Sequence, residues 1–256
     1  MLKYLDPSPT DHILDIGCGD GPLTAQIASL VPSGRVLGLD ASISMVSTAE
    51  QQYPETSHPN CSFRVQDCTR LAHDAQSDVV NGAWDKVFSN AALHWILRNS
   101  ETRMTVFRDV YAALKPGGAF IFEMGGKGNV AEVHAALLAG LVAHGVPIQE
   151  AREASPWFFP SEVWMRRALE ESGFVVEICE SEYRPTRTTA KDEEGQGGLE
   201  GWLKLMGAAF LEKVDESRRQ EVVKWVCEVL QDVDTREEDG STHIGYVRLR
   251  AVARKT

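Results

Sequence analysis

Five short apolar runs punctuate the first half of the chain: HILDIG (residues 12–17), RVLGLD (35–40), SFRVQD (62–67), DKVFSN (85–90) and AFIFEM (119–124). Each has the length of a buried strand and is followed by a polar or glycine-bearing turn. Amphipathic segments lie between them, among them PLTAQIASLV (22–31) and TRMTVFRDVYAALKPGG (102–118), whose Lys-Pro-Gly-Gly end is a helix stop. Strands that alternate with helices connect in parallel, and a parallel sheet is covered on both faces. The predicted fold class is therefore α/β, a doubly wound, mostly parallel sheet.

The second half changes character. PSEVWMRRALEESG (160–173) predicts a helix with Ser161 as N-cap and Gly173 just past the end, followed by a strand, FVVEICESEY (174–183). The charged, glycine-containing stretch RPTRTTAKDEEGQGG (184–198) reads as a mobile loop. LEGWLKLMGAAFLEKV (199–214) and DESRRQEVVKWVCEVLQDV (215–233) read as two amphipathic helices, and HIGYVRLRAVAR (243–254) as a final edge or near-edge strand. In that strand Val247, Leu249, Ala251 and Ala253 share one face, and Arg248, Arg250 and Arg254 the other. The expectation is one domain over residues 1–256. A loop plus helical lid insertion over 184–242 precedes the last strand, placed where it can cover a ligand.

Composition narrows the function classes. A formal net charge of −11 over 256 residues repels phosphate backbones and anionic lipid, so neither nucleic acid nor a membrane is an expected partner. The five cysteines are scattered, with no CxxC and no Cys/His pair at metal-ligand spacing, so reduced thiols and no metal are expected. No apolar run reaches the roughly 20 residues that span a bilayer, and the N-terminal MLKYLDPSPTDH has no signal-peptide core. A cytoplasmic protein, monomer or homodimer, is the expectation.

The most specific segment is ILDIGCGDG (13–21). A strand runs into Gly17, Gly19 and Gly21 and a helix follows, so the backbone can bend sharply and a ligand can approach main-chain amides. The G-x-G-x-G spacing differs from the G-x-G-x-x-G of dinucleotide sites. Asp15, inside the strand, is ill suited to a pyrophosphate and well suited to a cationic ammonium group. The next strand ends in Asp40, about 20 residues on, where an acid can accept both hydroxyls of a ribose. The third ends in Gln66-Asp67, and Asp67 can accept from an adenine amino group.

These features resemble the seven-stranded class I S-adenosylmethionine-dependent methyltransferases (the Rossmann-like methyltransferase fold), and within them the trans-aconitate methyltransferase-like group. The likeness runs from ILDIGCGDG through VLGLD, VQD, NAALHW and LKPGG to VRLRAVAR. It implies that S-adenosylmethionine is bound and S-adenosylhomocysteine released. Asp15 and the backbone of Gly17, Cys18 and Gly19 would hold the methionine part. Asp40 would bind the ribose, with Ala41 and Met45 beside the adenine, and Asp67 and the Cys68 amide would read the adenine edge. Asn90 and Ala91 would meet the ammonium through backbone carbonyls.

After the fourth strand comes SNAALHWI (89–96), which lacks the Asn/Asp-Pro-Pro-Tyr/Phe pattern of nucleic-acid amino methylases. It resembles segments of trans-aconitate, juvenile hormone acid and salicylate-type carboxyl methyltransferases, and the resemblance implies that the indole N–H of Trp95 orients an acceptor carboxylate. A carboxylic acid, with a pKa near ~4, is already an anion at neutral pH and needs no base. For a hydroxyl or amine acceptor, His94 is the histidine placed to act as base. Trp157, Phe158 and Phe159 are expected to pack and incidentally to shape the pocket.

The expected function is methylation of a small organic molecule, free or bound to a carrier protein, with a carboxylate oxygen favoured as acceptor. Methylation of a hydroxyl, amine or thiol is the alternative within the class, and a non-catalytic adenosyl-binding partner subunit the alternative outside it. Little chain precedes the first strand, whereas relatives carry a further N-terminal segment that closes over the cofactor, in salicylate-type enzymes with a substrate-binding Gln. The expectation here is a more open site, one completed by another subunit, or a truncated chain.

Overall fold

The computed structural model describes residues 1–72, 78–189 and 197–256. The elements run α1 (Leu2–Leu5), β1 (His12–Ile16), α2 (Pro22–Leu30), β2 (Arg35–Asp40), α3 (Ile43–Gln52), β3 (Cys61–Val65), a 3-10 turn (Cys68–Arg70), β4 (Trp84–Asn90), α4 (Leu93–Ile96), α5 (Arg103–Ala113) and β5 (Leu114–Gly125). Then follow α6 (Ala131–Ala143), α7 (Ile148–Glu153), α8 (Glu162–Glu171), β6 (Phe174–Arg187), α9 (Gly198–Met206), α10 (Ala208–Leu211), α11 (Glu216–Asp234) and β7 (His243–Lys255). The strands form a seven-stranded sheet in the order β3-β2-β1-β4-β5-β7-β6. β1 to β5 pair in parallel and β7 lies antiparallel to β5. The strand order reverses between β1 and β4, and in an open α/β sheet ligands bind outside the carboxyl ends of the strands at that point.

The chain divides into two compact units, of which the first comprises Met1–Lys127, Trp157–Ser181 and Arg248–Thr256. Its sheet carries a separate core on each face. On one face Leu14, Ile16, Val87, Phe120 and Phe122 pack with Phe107 and Val110 of α5 and with Met165 and Leu169 of α8. On the other, Ile13, Val36, Phe88 and Ile121 pack with Ile27 of α2, Val46 of α3 and Leu5 of α1. Each such side chain, fully removed from water, contributes about 1.5–3 kcal/mol. The near-continuous apolar reading of these strands follows from burial on both sides.

The second unit, Gly128–Pro156 and Glu182–Val247, is built around α6 and α11. Gly140 of α6 lets the two helices approach: a Cβ there would stand 3.0 Å from Val226 and 3.2 Å from Trp225. Among the described residues no helix is long and apolar enough to cross a membrane.

The expected strands all form, most with boundaries shifted by a residue or two. Ser161 caps α8 by accepting from the Trp164 N–H, and Gly173 beyond it has φ +98°. Three differences from the sequence reading are larger. The helix expected over 102–118 ends at Ala113, because Pro116 disfavours helical geometry in its predecessor and Leu114 already has strand angles (φ −78°, ψ 145°). β6 continues through Arg187, taking the first residues assigned to the loop 184–198; residues 190–196 of that loop lie outside those described. The helix expected over 199–214 is two, parted at Gly207, where a Cβ would come within 2.6 Å of the Leu203 carbonyl oxygen.

Candidate active site

The glycine turn after β1 is tied to the end of β2. The Gly17 and Cys18 N–H groups both donate to the Leu39 carbonyl, at 2.7 and 3.0 Å. The Gly19 N–H donates to Oδ2 of Asp40 at 3.0 Å, and the Ser42 N–H to Oδ1 at 2.9 Å. Both carboxylate oxygens are thus held at the carboxyl end of β2. All three glycines have positive φ (76°, 57° and 87°). At Gly17 the requirement is doubled, since a Cβ would fall 2.2 Å from that of Ala92. At Gly19 an added Cβ would meet nothing within 4 Å, so the backbone there faces open space.

Asp15 lies beneath this turn, 3% exposed, and Oγ1 of Thr24 in the first turn of α2 donates to its carboxylate at 2.6 Å. Burial, reinforced by the neighbouring Asp40, pushes its pKa up to about 7 although the Thr24 bond pulls the other way. Burial also raises the Cys18 thiol, and takes that of Cys68 up to about 12, so neither is a nucleophile at neutral pH. The rim is more open. Ala41, Met45 and Asp67 are exposed, as is Ile43 at 71%. Asp67 caps the 3-10 turn, accepting from the Thr69 N–H at 2.9 Å, and Gln66 N–H donates to the Asp40 carbonyl at 2.9 Å, joining β3's exit to β2's.

At the other side of the switch point, β4 ends in Asn90, paired with Glu123 of β5. Ala91 takes a left-handed conformation, φ 56°, which costs a non-glycine residue on the order of 1–2 kcal/mol. Its N–H is held by the Glu123 carbonyl at 2.8 Å, and the turn brings Ala92 against Gly17. The short helix α4 then presents His94 and Trp95. His94 is buried, its ring near Trp95 (centroids 5.6 Å apart) and Phe159 (5.7 Å). Its Nδ1 accepts from the Gly125 N–H at 3.4 Å, so the ring proton sits on Nε2. Burial, with the Arg248 charge second, depresses its pKa to about 4. At neutral pH this imidazole is an uncharged donor. Trp95 is 38% exposed, stands edge-on to Trp157 (5.9 Å, 71°), and its indole N–H has no acceptor among the described residues. Trp157 stacks on Phe159 at 5.7 Å.

The sequence reading thus has its residues in two groups around the switch point: Asp15, Gly17, Cys18, Gly19, Asp40 and Cys68 about the glycine turn, and Asn90, Ala91, His94 and Trp95 beyond β4. Ala41, Met45 and Asp67 stand on the exposed rim. The reading missed Thr24, whose position in the first turn of α2 is the one signal for it, and Arg248, which it placed with Arg250 and Arg254 on one face of the last strand without giving it a role in the site. No cluster of metal-ligating side chains occurs among the described residues.

Known proteins carry the same architecture. A family model described as a methyltransferase domain matches residues 13–118. An uncharacterized methyltransferase of Schizosaccharomyces pombe is 35% identical over 255 residues, 100% of this chain and 90% of that relative. Trans-aconitate 2-methyltransferase of Shigella dysenteriae is 24% identical over 259 residues, covering 100% of this chain and 91% of that enzyme. The crystal structure of the YcgJ protein from Bacillus subtilis superimposes with a TM-score of 0.65 at 16% identity, covering 100% of this chain and 96% of that one. The chain belongs to the class I S-adenosylmethionine-dependent methyltransferases, in the trans-aconitate methyltransferase-like group. It is an enzyme that uses S-adenosylmethionine.

Proposed function

We propose that this enzyme methylates a carboxylate oxygen of a small organic acid, releasing the methyl ester and S-adenosylhomocysteine. The glycine turn fits the cofactor. Gly19 has room for a ligand where a Cβ would otherwise stand, and Asp40, fixed by two amides, keeps lone pairs for the ribose hydroxyls. Exposed Ala41 and Met45, beside Ile43, supply an apolar wall for the adenine, and Asp67 with the Cys68 amide its polar edge. Asp15 and the Gly17–Gly19 backbone serve the methionine part, and the Asn90 and Ala91 carbonyls the ammonium.

When bound, the cofactor supplies a methyl group on a sulfonium, open to in-line attack. The chain's own residues hold the acceptor and exclude water. The carrying observation is Trp95: a half-exposed indole whose N–H has no acceptor among the described residues, beside a neutral His94 with its proton on Nε2. Two uncharged donors suit a carboxylate, which attacks without deprotonation because its pKa is near ~4. A hydroxyl acceptor needs a base, and an imidazole depressed to about 4 is a weak one. A free acid, or one on a carrier protein, satisfies this arrangement, and the name of the trans-aconitate relative points to the free acid.

The test pairs calorimetric titration with S-adenosylhomocysteine and a product screen using methyl-labelled S-adenosylmethionine against carboxylic acids, phenols, amines and thiols. Cofactor binding with labelled methyl esters is the expected result. Label in ethers, amines or thioethers alone would overturn the carboxylate reading. Binding without turnover of any compound would favour a non-catalytic partner subunit.

A further inference from the structure

A carboxylate acceptor needs more than two neutral donors, because desolvating an anion is costly unless a charge answers it. β7 supplies a candidate. Gly125, whose N–H meets Nδ1 of His94, is paired across the sheet with Arg248. Leu249, Ala251 and Ala253 are buried in the core of one sheet face, so strand alternation sends Arg248 and Arg250 to the other. Arg250 bonds through Nε to Oε2 of Glu123 at 2.6 Å, and both side chains are largely buried. Arg248, two pairs nearer the carboxyl ends of the parallel strands, is half-buried at the register position of Gly125.

We propose that Arg248 is an acceptor-binding residue that, together with the indole N–H of Trp95, selects a carboxylate at the methyl-receiving position. This inference rests on the carboxylate reading above and deepens it. A planar guanidinium offers five N–H donors, so it can hold an acceptor carboxylate alongside other partners, at bidentate geometry if the substrate presents both oxygens. The same positive field that reaches His94, and helps keep that ring unprotonated, attracts an anionic acceptor and repels an ammonium. It gives β7 a part in substrate choice, although no residue of that strand is assigned to the cofactor.

The experiment compares wild type, Arg248→Gln and Arg248→Lys in the labelled-methyl assay against trans-aconitate and a panel of mono-, di- and tricarboxylic acids, each beside its uncharged amide. S-Adenosylhomocysteine affinity is measured in parallel. Loss of a charge-assisted bond should raise the acid's KM about tenfold or more in Arg248→Gln while kcat changes much less. Arg248→Lys should recover part of the loss, and S-adenosylhomocysteine affinity should stay at the wild-type value. An unchanged KM in Arg248→Gln overturns the proposal, as does a wild type that binds S-adenosylhomocysteine yet methylates no acid or methylates amides equally well. Failure of folded wild type to bind S-adenosylhomocysteine would instead strike the cofactor-site reading beneath it.

Discussion

The Gly19 N–H donates to the Asp40 carboxylate at 3.0 Å, so the turn after β1 and the end of β2 form one rigid bracket. Asp40 therefore has two tasks on the proposed reading: it holds the loop and accepts the ribose. Asp40→Ala should weaken S-adenosylhomocysteine binding by on the order of 1–3 kcal/mol, read by calorimetry. Wild-type affinity in that variant would mean the ribose binds elsewhere.

Trp95→Phe keeps an aromatic ring against Trp157 and removes only the indole N–H. The acceptor's apparent KM should rise about three- to tenfold, the range for losing one neutral hydrogen bond, with cofactor affinity unchanged. Equal loss of both affinities would identify Trp95 as a structural prop.

Gly17→Ala should destabilise the fold by at least about 1–2 kcal/mol from left-handed backbone strain alone. The new methyl group would also stand 2.2 Å from the Ala92 Cβ. Urea denaturation measures the loss; a midpoint equal to wild type would show that α4 shifts freely.

Asp15 links stability and cofactor affinity to pH. An unfolded Asp releases its proton near ~3.9, whereas the folded carboxyl keeps it to about 7. Between these values the native state binds more protons than the unfolded one, so stability should fall as pH rises from about 4 to 7 and then level off. Asp15→Asn should flatten that part of the curve in stepped-pH urea titrations. A cationic ligand favours the ionised carboxyl, so S-adenosylmethionine affinity should increase through the same pH range.

With both substrates saturating, His94 should impose no basic limb on kcat between about pH 6 and 9, because its ring titrates near 4. A kcat rising tenfold per pH unit through this range would mark a general base and an acceptor that must lose a proton.

Much of the molecule was readable from its residues, and the unread parts have physical reasons. Strands buried on both faces are apolar runs stopped by glycine or polar turns, so β1 to β5 stand out. α6 does not: AEVHAALLAGLVA is apolar almost all round and shows no contrasting face. The glycine turn and Asp40 follow local rules, since a tight bend and a strand end lie close in sequence. Arg248 is different. Its neighbours Gly125 and His94 come from strand pairing over more than a hundred residues, which local spacing does not encode. The Ala113–Leu114 boundary turned on one proline, two residues further along.

β7 is inserted between β5 and β6, and among the described residues β6 has no other strand beside it. During folding, the pairing groups of β6 therefore stay bonded to water until residues 243–255 reach them. Such late, distant pairing slows folding and leaves an edge open to other chains in the interval.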